Sequence, residues 1–299
     1  MTADLDTLLI ALYVALTDRI IPLRPKPAGA PGGPPVVTDA EVVCLAVAQV
    51  CLRYESERKW LRNAPRLVGH LFPRLLSQSE YNRRVRALSS LMDAALRWLA
   101  ANTPSVYDKV RLTDGTKIIC GMSRETVKHS NLFGWCGYGY DASHTLYFWG
   151  MKLMLLTAPD GLITGYILVN PKLYGEQQAL AMMLSRPENV PPPGTAIVSD
   201  KGLRSKGLEA DMASSRLPLI RPACSDETDA GTFPKWLRQR IESVNQTLKG
   251  QLGIEHPGAH EIDGLFARIV QRLLAFNAAI WHNWAISADQ KRSLIAYDH

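Results

Sequence analysis

The chain has 299 residues, 46% of them apolar and 21% charged, which is ordinary for a globular protein and enough for one large domain plus a smaller one. No apolar run reaches the roughly 18–20 residues of a membrane span. The first residues lack a basic stretch and a small-residue cleavage site, so no signal peptide is expected. Five scattered cysteines (Cys44, Cys51, Cys120, Cys136 and Cys224) form no CxxC pair, which argues for reduced cytoplasmic thiols rather than a disulfide framework or a zinc site. The formal net charge is +6, and residues 52–86 alone account for it, with nine Lys or Arg against three Glu. A concentrated basic segment suits a polyanion such as DNA. The plainer alternative is a solvated helical face.

In chain order, residues 4–21 carry Leu5, Leu8, Leu9, Leu12, Leu16 and Ile20 at helical spacing. Residues 22–35 are Pro- and Gly-rich and predict an extended linker. Thr38 and Glu41 form a capping-box pattern that opens a second helix. "SERKWLRNA" predicts a short third helix. Ser77 and Glu80 form another capping box, and one long helix is expected from there to about Leu99. Its first turns carry Gln78, Asn82, Arg83, Arg84 and Arg86. Asn, Gln and Arg read base edges, and a recognition helix enters the major groove by its N-terminal residues. Residues 1–105 are therefore expected to form an all-helical, helix-turn-helix-like DNA-binding region, with Arg58, Lys59 and Arg62 adding phosphate contacts. The alternative is that the polar face of this helix only packs.

From Tyr107 onward the periodicity changes. "KVRLTDGTKIIC", "TLYFWGMKLMLLT" and "GLITGYILVN" predict three strands, the last two joined by the turn signal "APDG". A helix over 175–185 follows, then a strand in "TAIVSD", a connecting segment, and a strand in "LPLIRP". Helices are expected over 234–252 and 262–288. Three consecutive strands followed by alternation predict a mixed five-stranded α/β sheet flanked by helices, in a domain spanning 106–299.

Three acids stand out within it. Asp114 shares the apolar side of the first strand with Val110 and Leu112, where a carboxylate is costly unless paired or cation-bound. Asp200 ends the fourth strand, a possible neighbour of the first. Glu242 lies beside the apolar stripe Leu237, Ile241, Val244 and Leu248, on a polar stripe with Arg238, Asn245 and Lys249. Each has an ordinary explanation: a turn at Asp114–Gly115, a loop cap at Asp200, an ion pair for Glu242. Three converging carboxylates would repel one another, and hard oxygen ligands suit Mg²⁺, or Mn²⁺ in its place. Two such ions about 3.5–4 Å apart serve in-line displacement at phosphorus. Lys152, Lys201, Arg204, Lys206, Arg238 and Lys249 would then face the phosphates of DNA.

These motifs resemble those of DDE transposases of bacterial insertion sequences, which have a ribonuclease-H-like catalytic core. "LTDG" supplies the first acid and "IVSDKGL" the second. "RQRIESVNQTLKG" is similar to the group's arginine–glutamate–lysine signature at Arg238, Glu242 and Lys249, and "LLAFNAAIWHNW" to its C-terminal helix. The resemblance covers about 105–290. It departs from the pattern at Lys235, where a tyrosine is usual, and at "YGEQQ", where Glu176 stands near a position often acidic. It implies a ribonuclease-H-like fold, with Asp114, Asp200 and Glu242 as catalytic metal ligands for two Mg²⁺ ions. The reaction would cut double-stranded DNA at the element's terminal inverted repeats and join the 3′-hydroxyl to target DNA. It also implies a homodimer or larger assembly on DNA, located with the bacterial nucleoid in the cytoplasm. The rival readings are a metal-dependent nuclease of the same fold and a DNA-binding derivative without catalysis. "HPGAHE" is broken by Pro257 and Gly258 and is not a zinc-protease helix. "GWCGYGYD" has tyrosines but no tyrosine-recombinase histidine–arginine partner. Trp281 and Trp284 read as core.

Overall fold

In the computed structural model of the chain, residues 4–24, 35–122, 124–141, 145–223 and 235–297 are described, without the side chains of Lys235 and Arg238. Most of the expected linker and Cys224 therefore lie outside the described residues. The chain divides into two compact units, residues 1–102 with 263–299, and residues 103–262. The helices are α1 (Leu5–Ala15), α2 (Asp39–Cys51), α3 (Glu57–Leu67), α4 (Gln78–Ala87), α5 (Ser89–Ala101), α6 (Arg124–Lys128), α7 (Glu176–Leu184), α8 (Lys206–Ser214), α9 (Lys235–Gln246) and α10 (Ile262–Ala285). No described helix is long and apolar enough to cross a membrane.

The first unit is helical. Asp4 caps α1 by accepting from Thr7 N–H at 2.8 Å. The capping box of α2 closes in both directions, Thr38 Oγ1 accepting from Glu41 N–H and Glu41 Oε2 from Thr38 N–H. After Glu41 every residue of α2 is buried, so this helix is surrounded rather than amphipathic. Ser77 caps α4 through Glu80 N–H. The long helix expected over 77–99 is instead two, α4 and α5, hinged at Leu88 (φ −91°, ψ 8°). Ser89 and Ser90 follow the break. Serine hydroxyls compete with the helical backbone, and Ser90 Oγ accepts from Arg24 Nη2 at 2.7 Å.

Helix α10 belongs to the helical unit, whereas a sequence boundary at 105/106 gives it to the sheet domain. Its residues are apolar on most faces between Leu265 and Ile280, so it needs cover all round. Gln271 Nε2 donates to Ala46 O of α2 at 2.8 Å, and Asn277 Nδ2 to Leu96 O of α5 at 3.5 Å. Trp281 and Trp284 near its end are only half-buried.

The second unit is built on a mixed sheet of β1 (Val110–Gly121), β2 (Gly137–Asp141), β3 (Leu146–Thr157), β4 (Ile163–Val169), β5 (Ala196–Val198) and β6 (Leu219–Ile220). β3 runs antiparallel to β1, and β4 antiparallel to β3. β5 is parallel to β1, and β6 parallel to β5. The path β4-β3-β1-β5-β6 thus has three antiparallel strands followed by two parallel ones, consistent with a ribonuclease-H-like fold. Helices flank the sheet. α7 packs with Met154, Leu156, Ile167, Val169 and Ile197, while Leu237 and Ile241 of α9 pack on Leu112 and Val198.

Two elements depart from the expected order. The connecting segment after β5 contains α8, capped by Ser205. A sixth strand, β2, lies in "GWCGYGYD" and shares an edge of β3 with β4. Its glycines weaken the strand signal, yet they are required: a Cβ on Gly139 would meet Phe148 Cζ at 2.6 Å.

Candidate active site

The sheet places Asp114 first. β1 continues through Asp114 and Gly115, paired with Leu155 and Met154 of β3, so the turn explanation does not hold. Strand geometry keeps residues two apart on one face. Asp114 therefore shares the face of Leu112, which is packed under α9. On the parallel neighbour, Val198 pairs with Leu112 and belongs to the same apolar cluster. Two residues further, Asp200 leaves the strand and caps a short 3₁₀ turn, accepting from Gly202 N–H at 3.0 Å. The third contribution comes from α9, where Ile241 belongs to that cluster and Glu242 is the next residue. One apolar contact between β1, β5 and α9 thus sets all three carboxylates at its rim. They line a single pocket of about 80 Å³ with Leu112, Thr113, Val198, Ser199, Leu237 and Ile241.

Asp114 is the most enclosed of the three. Its Oδ1 accepts from Gly115 N–H at 2.7 Å, and its Oδ2 from Asn245 Nδ2 at 2.5 Å. Burial pushes its pKa up from 3.8 to about 6; Asp200 and Glu176 push the same way, while Gly115 N–H and the Lys249 ammonium pull it back. A buried carboxylate facing two others is the arrangement that a cation relieves. Asn245 is itself buried, and its Oδ1 has no hydrogen-bond partner.

Glu176, at the first turn of α7, stands closer to this site than its place in the sequence suggests. Its Oε1 receives Lys152 Nζ at 2.8 Å. A Cβ added to Gly202 would meet Glu176 Oε2 and Asp200 Oδ1 at 3.2 Å each. The signal in the sequence was an acid heading a helix after a strand, and only the tertiary contact with Gly202 gives it a place.

The hard carboxylate donors suit Mg²⁺ or Mn²⁺ in chemical type. As the side chains stand, no group of three His, Cys, Asp or Glu among the described residues could hold one ion. Asp200 and Glu242 are exposed at the pocket rim, where their rotamers can adjust without repacking the core. The orphaned Asn245 oxygen and the carboxylates that push up the Asp114 pKa are in keeping with a cation there.

The basic residues expected to meet DNA divide into two groups. On the helical unit, Gln78, Arg83, Arg58, Lys59 and Arg62 are exposed, and Arg86 is half-buried. Arg58 and Arg62, with Arg66, recur every four residues along one face of α3. Two others are engaged internally. Asn82 Nδ2 donates to both oxygens of Glu57 at 3.0 Å. Arg84 reaches Val37 O and Asp39 Oδ1, each at 2.5 Å, with its side chain 12% exposed. On the sheet unit, Lys201, Arg204 and Lys206 are exposed beside Asp200. Lys152 is paired with Glu176, and Lys249 with Glu255 at 3.2 Å. The Arg238 side chain lies outside the described residues.

No protein-family model matches the chain, and no curated protein matches it. Among solved structures, a piggyBac transposase synaptic complex with hairpin DNA aligns at 10% identity and a TM-score of 0.49, over 98% of this chain and 77% of that one. A likeness this slight bears on neither fold nor function.

Proposed function

We propose that the chain is a DNA transposase that cuts the ends of an insertion sequence and joins the resulting 3′-hydroxyl to target DNA. The observation that carries this reading is the meeting of Asp114, Asp200 and Glu242, from three separate elements, at one pocket. The arginine–glutamate–lysine signature, Arg238 and Glu242 on α9 and Lys249 in the helical turn that follows it, supports the reading independently of that geometry.

In this reading Asp114, Asp200 and Glu242 hold divalent cations, Mg²⁺ or Mn²⁺. Bound there, two such ions would supply an activated attacking oxygen and a stabilised leaving oxygen for in-line displacement at phosphorus. The remaining roles fall to the chain itself. Asn245 fixes the orientation of Asp114 through Oδ2. The apolar wall of Leu112, Val198, Leu237 and Ile241 keeps the carboxylates on a rigid base. Lys201, Arg204 and Lys206 hold the phosphates flanking the scissile one, and the basic helical region binds the end of the element. Assembly of two ends requires a dimer or larger form on DNA.

The test is a strand-transfer reaction. A DNA end taken from beside the coding sequence, already carrying a free 3′-hydroxyl, is incubated with a target plasmid and Mg²⁺. Joined product supports the reading. Cutting of uncut ends without joining would make the chain a nuclease. A chain that binds DNA and does neither is the second reading, and one observation favours it: no three described ligand groups are placed to hold an ion together.

A further inference from the structure

We propose that the tyrosines of β2 and β3 form a stacking platform for the bases of an unpaired DNA strand. This rests on the reading that DNA is the substrate, and it adds a DNA contact on the sheet unit away from the carboxylate pocket.

β2 runs antiparallel to the start of β3, with Tyr138 opposite Trp149 and Tyr140 opposite Tyr147. Residues directly opposite in such a pair share a face, and so do residues two apart on one strand. Tyr138, Tyr140, Tyr147 and Trp149 therefore stand on one face. Three of them are open: Tyr138 is 52% exposed, Tyr140 49% and Tyr147 77%. The rings of Tyr140 and Tyr147 lie 4.7 Å apart, centroid to centroid. Trp149 is buried. A Cβ on Gly121 would meet Trp149 Cε3 at 3.0 Å and Thr126 Cγ2 at 3.4 Å. Helix α6 thus lies beside the tryptophan, at the border of the open rings. The reverse face of β2 is closed, with Gly139 against Phe148 and Pro171.

The chemistry of the open face suits bases. Tyr138 and Tyr140 on β2, and Tyr147, Trp149 and Met151 on β3, are all uncharged. Asp141, the acid of β2, belongs to the reverse face, where Lys117 Nζ reaches it at 2.6 Å. At the border, Arg124 and Lys128 of α6 are exposed. With Glu125, which Lys128 reaches at 2.9 Å, they leave that helix one positive charge in excess. Bases stack on aromatic rings whatever their sequence, and cations beside the rings take the phosphates. A base inside a duplex offers no face to a ring, so the ligand is an unpaired strand.

The platform is on the face of the sheet that carries the candidate active site. Asp114 stands opposite Leu155 of β3, and Leu155 shares a face with Tyr147 by alternation. The two are roughly 26 Å apart along the strand, at about 3.3 Å per residue. A strand separated from its complement at the pocket reaches the tyrosines within several nucleotides. A second copy of the chain is the other occupant that open rings admit, and the test separates the two.

The experiment is fluorescence anisotropy of a labelled oligothymidylate of about 16 nucleotides, and of a labelled duplex, with the full chain at fixed salt in chelator. Tyr138→Ala, Tyr147→Ala, Tyr138→Phe and Tyr147→Phe are compared with the unaltered chain. Thermal melts confirm that each folds, and sedimentation gives the oligomeric state. Each alanine variant is expected to bind oligothymidylate about tenfold more weakly. Each phenylalanine variant, which keeps the ring, should restore that binding, and duplex affinity should stay the same in all four. If the alanine variants bind oligothymidylate as the unaltered chain does, the proposal is wrong, and retained duplex binding leaves the DNA reading standing. If they instead split a dimer of the unaltered chain, with oligothymidylate binding unchanged, the face is a contact between copies and the proposal is wrong. Equal losses in the alanine and phenylalanine variants would exclude stacking and overturn it as well. An unaltered chain that binds neither probe would overturn the DNA reading itself.

Discussion

Replacing Asp114 with Asn should make the metal-free protein more stable at neutral pH. Burial, aided by Asp200 and Glu176, raises the folded-state pKa of this carboxyl from 3.8 to about 6. A raised carboxyl pKa means that the folded chain holds the proton more tightly than the unfolded one. Its contribution is therefore least unfavourable below pH 3.8, worsens as pH climbs to about 6, and is constant above that. The difference of about two pKa units corresponds to about 3 kcal/mol of ionisation cost at pH 7.5. Asp114→Asn removes that cost and keeps the shape. The two donors now on Asp114, Gly115 N–H and Asn245 Nδ2, would face one oxygen and one amide nitrogen. The Asn245 amide can turn over, because its Oδ1 has no other partner to lose. A net gain of about 2 kcal/mol is expected after imperfect hydrogen bonding is allowed for. Urea denaturation in chelator at pH 5 and pH 7.5 measures it. The unaltered chain should lose stability between these values relative to Asp114→Asn, and Mg²⁺ should restore stability to the unaltered chain only. Equal stability at pH 7.5, with the same pH dependence in both proteins, would refute the burial and repulsion assigned to Asp114.

Further outcomes follow from particular contacts. Changing Arg62 and Arg83 together to Gln should weaken DNA binding and lower the slope of log affinity against log salt by about 2, as expected for two phosphate contacts. Filter binding across a salt series would show it, and an unchanged slope would move the DNA surface elsewhere. Arg84→Ala should destabilise the helical unit by about 2 kcal/mol without altering that slope, since its guanidinium is spent on Val37 O and Asp39. Gly150→Ala should be among the most damaging small substitutions, because its Cβ would lie 1.9 Å from Ile118 O. Loss of soluble protein, or a melting temperature lowered by several degrees, is the expected result.

The carboxylates were legible in the sequence because each is tied to an apolar residue at a fixed offset. Asp114 follows Leu112 by one strand repeat, Asp200 follows Val198 by the same step, and Glu242 sits next to Ile241. The pairing of β1 with β5 follows from strand order, and the structure has it. Other features depend on contacts that leave no local pattern. Nothing around Asn82 shows that Glu57 takes its amide, and nothing around Arg84 shows that Val37 and Asp39 take its guanidinium. β2 is hidden because its glycines answer to residues elsewhere in the chain, Gly137 to Asn170 and Gly139 to Phe148. α8 is hidden by Gly207, which lowers helix propensity just after the Ser205 cap. α10 reads as a helix, but its place with the helical unit depends on Ala46 and Leu96, more than 180 residues earlier by the separations of the two bonds.

The central claim is that Asp114, Asp200 and Glu242 act as one cation-dependent site for cutting DNA. The most direct measurement is cleavage of a labelled duplex spanning the element's end, in Mn²⁺ and in chelator, by the unaltered chain and by Asp114→Asn, Asp200→Asn and Glu242→Gln. Cation-dependent release of a 3′-hydroxyl end by the unaltered chain is predicted, with at least a thousandfold loss in every single variant (about 4 kcal/mol of transition-state stabilisation) and duplex binding retained. Full cleavage by any one of the three variants would contradict it.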